Sequence, residues 1–228
     1  MLNVDKIYVL HYTKLKERKE RLDEMFYMHD LDVEYITEFD QEDLTQEMID
    51  ESYDRRKESY DAKIHSAYKE RSTPHRVINI AEISCTFKHR LAIQKLAAEC
   101  PSHGLIFEDD VILVPNFTYL FNKFLDNTPD NWEAIFMGCC ANLRIPKKLQ
   151  QINKNAYLKE HPASRGGDSY LLKNNAAKKI ASTMDTFVTI ADWELGHQIY
   201  KHDINTYWWE PPLVVQGSEN GLYKSTLR

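Results

Sequence analysis

The hydrophobic pattern opens with Lys6-Ile-Tyr-Val-Leu-His11, a nearly unbroken apolar run of the kind a parallel strand shows when both its faces are buried. Over residues 14–30, Leu15, Leu22, Phe26 and His29 recur at helical spacing while Lys14, Lys16, Glu17 and Glu20 fall largely elsewhere, which predicts an amphipathic helix. Residues 33–39 offer a second strand, and strand, helix, strand is the opening of an α/β sheet with crossovers. The pattern then turns polar over residues 40–74, and a helical or mobile insertion is expected at about 41–80. A helix over 81–99 carries Ile83, Phe87 and Leu91 on one side and Cys85, His89, Ala92 and Leu96 nearly opposite, so it is a buried helix. Further strands are predicted at 105–107, 111–114, 134–138, 169–172, 204–209 and 213–215. Pro115-Asn116 breaks the chain before a helix striped by Phe117, Leu120, Phe121 and Phe124. Asn174 or Asn175 is expected to cap a helix to residue 184, and Asp192 to begin one through residue 200. The whole reads as one α/β domain over 1–228 with a mixed sheet.

One strand is interrupted in an informative way. Leu105-Ile-Phe107 runs straight into Glu108-Asp109-Asp110, and apolar character resumes at Val111. Three consecutive carboxylates at the carboxyl end of a strand repel one another, and a divalent cation is the natural compensation. On an extended chain Glu108 and Asp110 point the same way and can share one ion, with Asp109 turned from it. Such hard oxygen ligands suit Mn²⁺ or Mg²⁺. In open α/β sheets ligands also collect outside the carboxyl ends of the strands, where this cluster falls. Acidic residues can merely end a surface strand, but the apolar segments on both sides argue against that here.

Composition narrows the classes. Thirteen Tyr, nine Phe and four Trp against seven Gly describe a packed globular chain of 228 residues, and a net charge of −6 gives no footprint for nucleic acid. The amino-terminal region lacks the long apolar segment of a signal peptide and no run approaches a membrane span, so a cytoplasmic location is expected. Cys85, Cys100, Cys139 and Cys140 have no paired metal spacing and read as reduced thiols.

Several blocks, in order, resemble glycosyltransferase family 25, the group of bacterial lipooligosaccharide and collagen galactosyltransferases. They are Ile7-Tyr-Val-Leu10 with Arg18, Glu82-Ile-Ser-Cys85 with His89, Leu105 through Val111, Trp132 through Gly138, Tyr170-Leu-Leu with Ala176-Ala-Lys-Lys-Ile180, Ala191-Asp-Trp193, and Pro212 through Gln216. His11, Gln41, Ser84 and Lys88 stand where that pattern usually has Asn, Gly, Gly and Ser. The resemblance implies a GT-A type nucleotide-sugar-binding fold with a mixed, mainly parallel sheet flanked by helices. It also implies a UDP-sugar donor of galactose or glucose, a divalent metal, inversion at the anomeric carbon, and a glycan or hydroxylated protein as acceptor.

Inverting transfer needs a base for the acceptor hydroxyl, and by analogy with similar enzymes Asp192, or else Glu194, is its candidate. Asp192 has helix capping as its alternative. His11, Tyr12 and Thr13 follow the first strand, where base and ribose usually rest, and Asp40 ends the second; Asp109 joins them as a donor contact. Arg18 either reaches the nucleotide or lies on an exposed face. Lys88 is a phosphate contact or a solvated lysine, His89 a donor contact or a core residue, and Tyr170 a donor-pocket wall or core packing. Two other classes compete: a metal-dependent phosphohydrolase or nucleotidyltransferase, which would place a second acidic ligand set beside the first, and a catalytically silent carbohydrate-binding protein.

Overall fold

A computed structural model describes residues 1–54 and 77–224 of the chain. In order, the elements are β1 (Lys6–Leu10), α1 (Lys16–Met28), β2 (Glu34–Ile36), α2 (Gln46–Ser52), α3 (Ile80–Glu99), β3 (His103–Glu108), β4 (Val111–Leu113), α4 (Phe117–Asp126) and β5 (Ala134–Phe136). They continue with β6 (Ala156–Lys159), β7 (Ser169–Lys173), α5 (Asn174–Ala181), α6 (Ala191–Lys201), β8 (Thr206–Trp209) and β9 (Val214–Gln216). Seven strands form one sheet in the order β2-β1-β3-β7-β5-β8-β6, and β4 pairs with β9 in a small second sheet. Pairing is parallel for β1 with β2, β1 with β3 and β5 with β8, and antiparallel where β7 or β6 joins. Five strands therefore run one way and β7 and β6 the other: the mixed α/β sheet that the alternation of patterns predicts, and mainly parallel as the resemblance implies.

The strands sort their residues by parity. Ile7, Val9, Leu105 and Phe107 face one core with Leu22 and Phe26 of α1 and Phe117, Phe121 and Phe124 of α4. Tyr8, Leu10 and Ile106 face the other, with Ala92, Ile93 and Leu96 of α3, Ile180 of α5 and Leu195 and Ile199 of α6. A sheet covered on both faces needs strands apolar at every position, which is why β1 and β3 read as continuous runs. The small apolar cluster of Ile49, Tyr53, Ile83, Phe87 and Phe187 packs α2 and its flanks against α3.

Element boundaries differ from expectation for local reasons. β2 stops at Ile36 because its partner β1 ends at Leu10, opposite it, and Phe39 then takes a positive φ of 63° and stacks on Phe87. Neither Asn174 nor Asn175 caps α5, whose N-cap is Lys173 without a side-chain bond; Asn174 instead donates to the carbonyls of Ala97 and Cys100, at the carboxyl end of α3. α5 also ends at Ala181, short of residue 184. α6 is preceded by Ile190 as its N-cap, so Asp192 lies inside the first turn and is no cap. Within the insertion expected at 41–80, α2 is helical and is capped by Thr45, which accepts from Met48 N; residues 55–76 lie outside the described residues.

α3, which carries Cys85, Lys88 and His89, begins in a capping box that the sequence pattern alone had not drawn out: Asn79 accepts from Glu82 N, and Glu82 accepts from Asn79 N. Two otherwise orphaned backbone donors are satisfied by this exchange. Asn79→Ala should lower the unfolding free energy by about 1 kcal/mol, read by chemical denaturation with an unchanged slope.

Candidate active site

The site lies where β1 and β3 end together, since Leu10 pairs with Glu108 in register. Beyond that point Asp109 and Asp110 form a turn, not a continued strand, before β4 resumes. Asp109 turns toward the amino-terminal segment. Its Oδ1 takes a 2.7 Å hydrogen bond from Arg18 Nη1, and its Oδ2 accepts from Tyr12 N at 3.1 Å and lies 3.1 Å from His11 Nδ1. Burial pushes the Asp109 carboxyl up, but the hydrogen bonds from His11 and Tyr12 and the charge of Arg18 hold it below its ordinary value. Arg18 is buried, and its second terminal nitrogen donates to Lys224 O at 2.6 Å. His11, Arg18 and Asp109 thus satisfy one another as a wall of the site.

The other carboxylates have less support. Glu108 Oε1 lies 3.2 Å from His89 Nε2 and its Oε2 accepts from Gln216 Nε2 at 3.4 Å. Burial, then the charges of Asp110 and Asp109, push its carboxyl up to about 8. Asp110 Oδ2 accepts from Ser218 N at 3.3 Å, a contact made by the chain leaving β9, while its Oδ1 is buried without a hydrogen-bond partner. A fourth acid, Asp168, is fully buried beneath them; its Oδ1 is also unpartnered, and burial and Glu108 push it well above the ordinary carboxylate range. Sequence reasoning missed Asp168, although glycines mark its place. A Cβ on Gly138 would sit 1.8 Å from Asp168 Oδ2, and one on Gly167 would sit 2.7 Å from Glu108 Oε1.

His89 is buried on α3 and is pushed down to about 4 by burial, so it is neutral, with Nδ1 2.9 Å from the Tyr170 hydroxyl. Tyr170 is a core residue stacked on His89 and reaches the site through that ring. Lys88 is buried too: its ammonium donates to Asp40 Oδ1 at 2.7 Å and to Glu38 O at 2.6 Å, and Asp40 Oδ2 accepts from Thr13 N at 3.1 Å and from the Thr13 hydroxyl. Asp40, Lys88 and Thr13 therefore spend their polar groups on one another. Tyr12 donates to Glu42 at 2.6 Å and accepts from Gln41 at 2.9 Å.

Above these groups lies a cleft in two contiguous halves, which share Cys85, Glu108, Gln216 and Ser218. Tyr12, Arg18, Gln41, Ser84, Asp109 and Asp110 line one half. Asn79, Cys140, Gly167, Asp192 and Glu219 line the other, of about 850 Å³. Asp192 and Glu194 separate cleanly. The Asp192 carboxyl lines the cleft and is pushed up to about 6 by burial and by Glu108. Glu194 is buried among protein donors, accepting from Val188 N at 3.2 Å and from Gln198 Nε2 at 2.9 Å.

These shifts make a pH prediction for the metal-free chain. A carboxyl whose folded pKa is raised stabilises the fold below its unfolded pKa, and that contribution is lost as pH rises through the folded value. Asp192 completes its loss near pH 6 and His89, lowered, has the opposite sign only below its unfolded value near 6.5, so between about pH 6.5 and 8 Glu108 remains, with the raised Asp110 and Asp168 acting in the same direction. In the presence of a chelator, thermal stability relative to Glu108→Gln should fall across that window; parallel curves for the two proteins would refute the assignment.

The comparisons with known proteins bear on this geometry. The family model described as glycosyltransferase family 25 (LPS biosynthesis protein) matches residues 4–193, a span that holds the carboxylate cluster, α3 and Asp192. No curated protein matches the chain by sequence. Among solved structures it is similar to a glycosyltransferase involved in the glycosylation of the major capsid of PBCV-1, at 13% identity, 92% coverage of each chain and a TM-score of 0.43, a likeness too distant to add to the argument. No helix among the described residues is long and apolar enough to cross a membrane. With the family model spanning most of its length, the chain belongs to glycosyltransferase family 25.

Proposed function

We propose that the chain transfers a hexose, galactose or glucose, from a UDP-sugar to a hydroxyl of a glycan or a hydroxylated protein, with inversion, in a site of GT-A type that uses Mn²⁺ or Mg²⁺. Membership of a glycosyltransferase family already requires a sugar donor and an acceptor. The observation that carries the metal is the buried, unpartnered Asp110 Oδ1 beside a Glu108 carboxyl forced upward by burial and by its acidic neighbours. Such oxygens fit a hard divalent cation, which Asp110 and Glu108 would hold. When bound, the cation supplies positive charge for the departing diphosphate.

The chain's own residues account for the rest. Tyr12, Gln41 and Ser84 line the half of the cleft that suits the nucleoside, and Asp109 with Arg18 fixes its wall. Asp192, across the shared floor, takes the proton from the acceptor hydroxyl at a carboxylate oxygen. A base works best with a pKa near the operating pH, and about 6 meets that condition. Its place in the first turn of α6 favours the ionised form, since helix amino termini attract negative charge. Glu194 is left as a support for the segment at Val188.

Two variants test the reading. Asp110→Ala should abolish Mn²⁺-dependent UDP binding by calorimetry with little loss of fold, because it removes a ligand and a repelling charge together; unchanged UDP affinity would refute the metal assignment. Asp192→Asn keeps shape but loses basicity, so it should still bind UDP-sugar while turnover falls by about 10²–10⁴-fold. An active Asp192→Asn would remove it as the base.

A further inference from the structure

Cys85 and His89 stand four residues apart on α3, one helical turn, and both face the end of β3. Cys85 Sγ, a ring nitrogen of His89 and a carboxylate oxygen of Glu108 all lie within 4.8 Å of one another, the one such set of three among the described residues. His89 turns Nε2 toward Glu108 at 3.2 Å and Nδ1 toward the Tyr170 hydroxyl at 2.9 Å. That second contact fixes the ring, as partners outside the ligand set do for metal-bound histidines, and with Nδ1 occupied by Tyr170 the Nε2 position is the one aimed at the other two ligands. Cys85 and Glu108 line both halves of the cleft, so an ion can enter and a fourth position opens toward solvent. The donor types differ from those at Asp110. A thiolate, an imidazole and a carboxylate suit a thiophilic ion of the zinc class, and three protein ligands with an open position are the usual form of a reactive zinc site.

We propose that Cys85, His89 and Glu108 form a binding site for a thiophilic divalent cation such as Zn²⁺. On binding, Cys85 releases its thiol proton to solvent, His89 Nε2 and Glu108 give up the proton they share, and the cation takes the place of that hydrogen bond, His89 staying neutral with its one proton on Nδ1 toward Tyr170. Glu108 belongs to this site and, on the reading above, to the hard-cation site with Asp110. Zn²⁺ therefore withdraws Glu108 from the donor cation, and Zn²⁺ and Mn²⁺ antagonise each other.

Co²⁺ replaces Zn²⁺ with similar ligand preferences and has a visible signature, so the full chain, kept reduced with a non-chelating phosphine, is titrated with Co²⁺. The expected result is a thiolate-to-cobalt charge-transfer band in the near ultraviolet that saturates at one ion per chain and is bleached by one equivalent of Zn²⁺. Cys85→Ser should abolish the band with an unchanged circular dichroism spectrum. Tyr170→Phe, which keeps the packing and removes the hydroxyl beside Nδ1, should keep the band but weaken Co²⁺ binding by about 10–100-fold. Asp110→Ala should retain the band. No band in the wild type, or a band that survives Cys85→Ser because Cys139 or Cys140 supplies the thiolate, overturns the proposal. The two readings fail separately: Mn²⁺-dependent UDP binding without a cobalt band removes this site alone, and a cobalt band without UDP binding removes the donor reading alone.

Discussion

Everything at this site follows from crowding acidic groups at the end of β3. Glu108, Asp109, Asp110 and the buried Asp168 share one corner, and only Asp109 has a guanidinium against it among the described residues. Arg18, His11 and Tyr12 settle that one carboxylate and in doing so tie the end of β1, α1 and the turn after β3 into a single rigid wall. The remaining acids are left with burial and mutual repulsion, which drives Glu108 and Asp168 toward their protonated forms. Leaving such a cluster uncompensated costs stability, and a bound cation is the economical way to recover it.

The sheet makes that crowding unavoidable. Because β1, β2 and β3 are parallel and in register, their carboxyl ends deliver His11, the segment to Asp40 and Glu108 to the same edge. α3 then lays Cys85, Lys88 and His89 across it, and β9, paired with β4, returns Gln216 and Ser218 to Glu108 and Asp110. Glycine at 138 and 167 leaves room for carboxylates that a side chain would displace. Packing and chemistry are in this sense one arrangement: the strands that build the two cores also set the distances between the acids.

Much of this was legible in the sequence. Continuous apolar runs marked β1 and β3 because both faces of the sheet are covered, and Glu108-Asp109-Asp110 stood out by interrupting such a run. The parity argument assumed an extended chain, whereas residues 109 and 110 form a turn, and it is Arg18, His11 and Tyr12 that engage Asp109. What stayed hidden were partnerships between distant residues. Lys88 reads as a phosphate contact or a solvated lysine until Asp40 is found 2.7 Å away, and Glu194 matches Asp192 as an acid until Val188 and Gln198 are seen to occupy it. Asp168 carried no local pattern, and its only signal was the surrounding glycines. The four positions that differ from the family pattern each have such a partner: His11, Gln41, Ser84 and Lys88 bond respectively to Asp109, Tyr12, Phe39 O and Asp40.

The central claim is that the unpartnered oxygen of Asp110 is the anchor of a donor-bound hard cation. Crystals of the full chain grown with UDP and Mn²⁺ and measured at a wavelength where manganese scatters anomalously test it most directly. The account predicts a manganese anomalous peak within coordination distance of Asp110 Oδ1. UDP bound in the cleft with no manganese peak at Asp110, or a peak elsewhere with Asp110 Oδ1 uncoordinated, would contradict it.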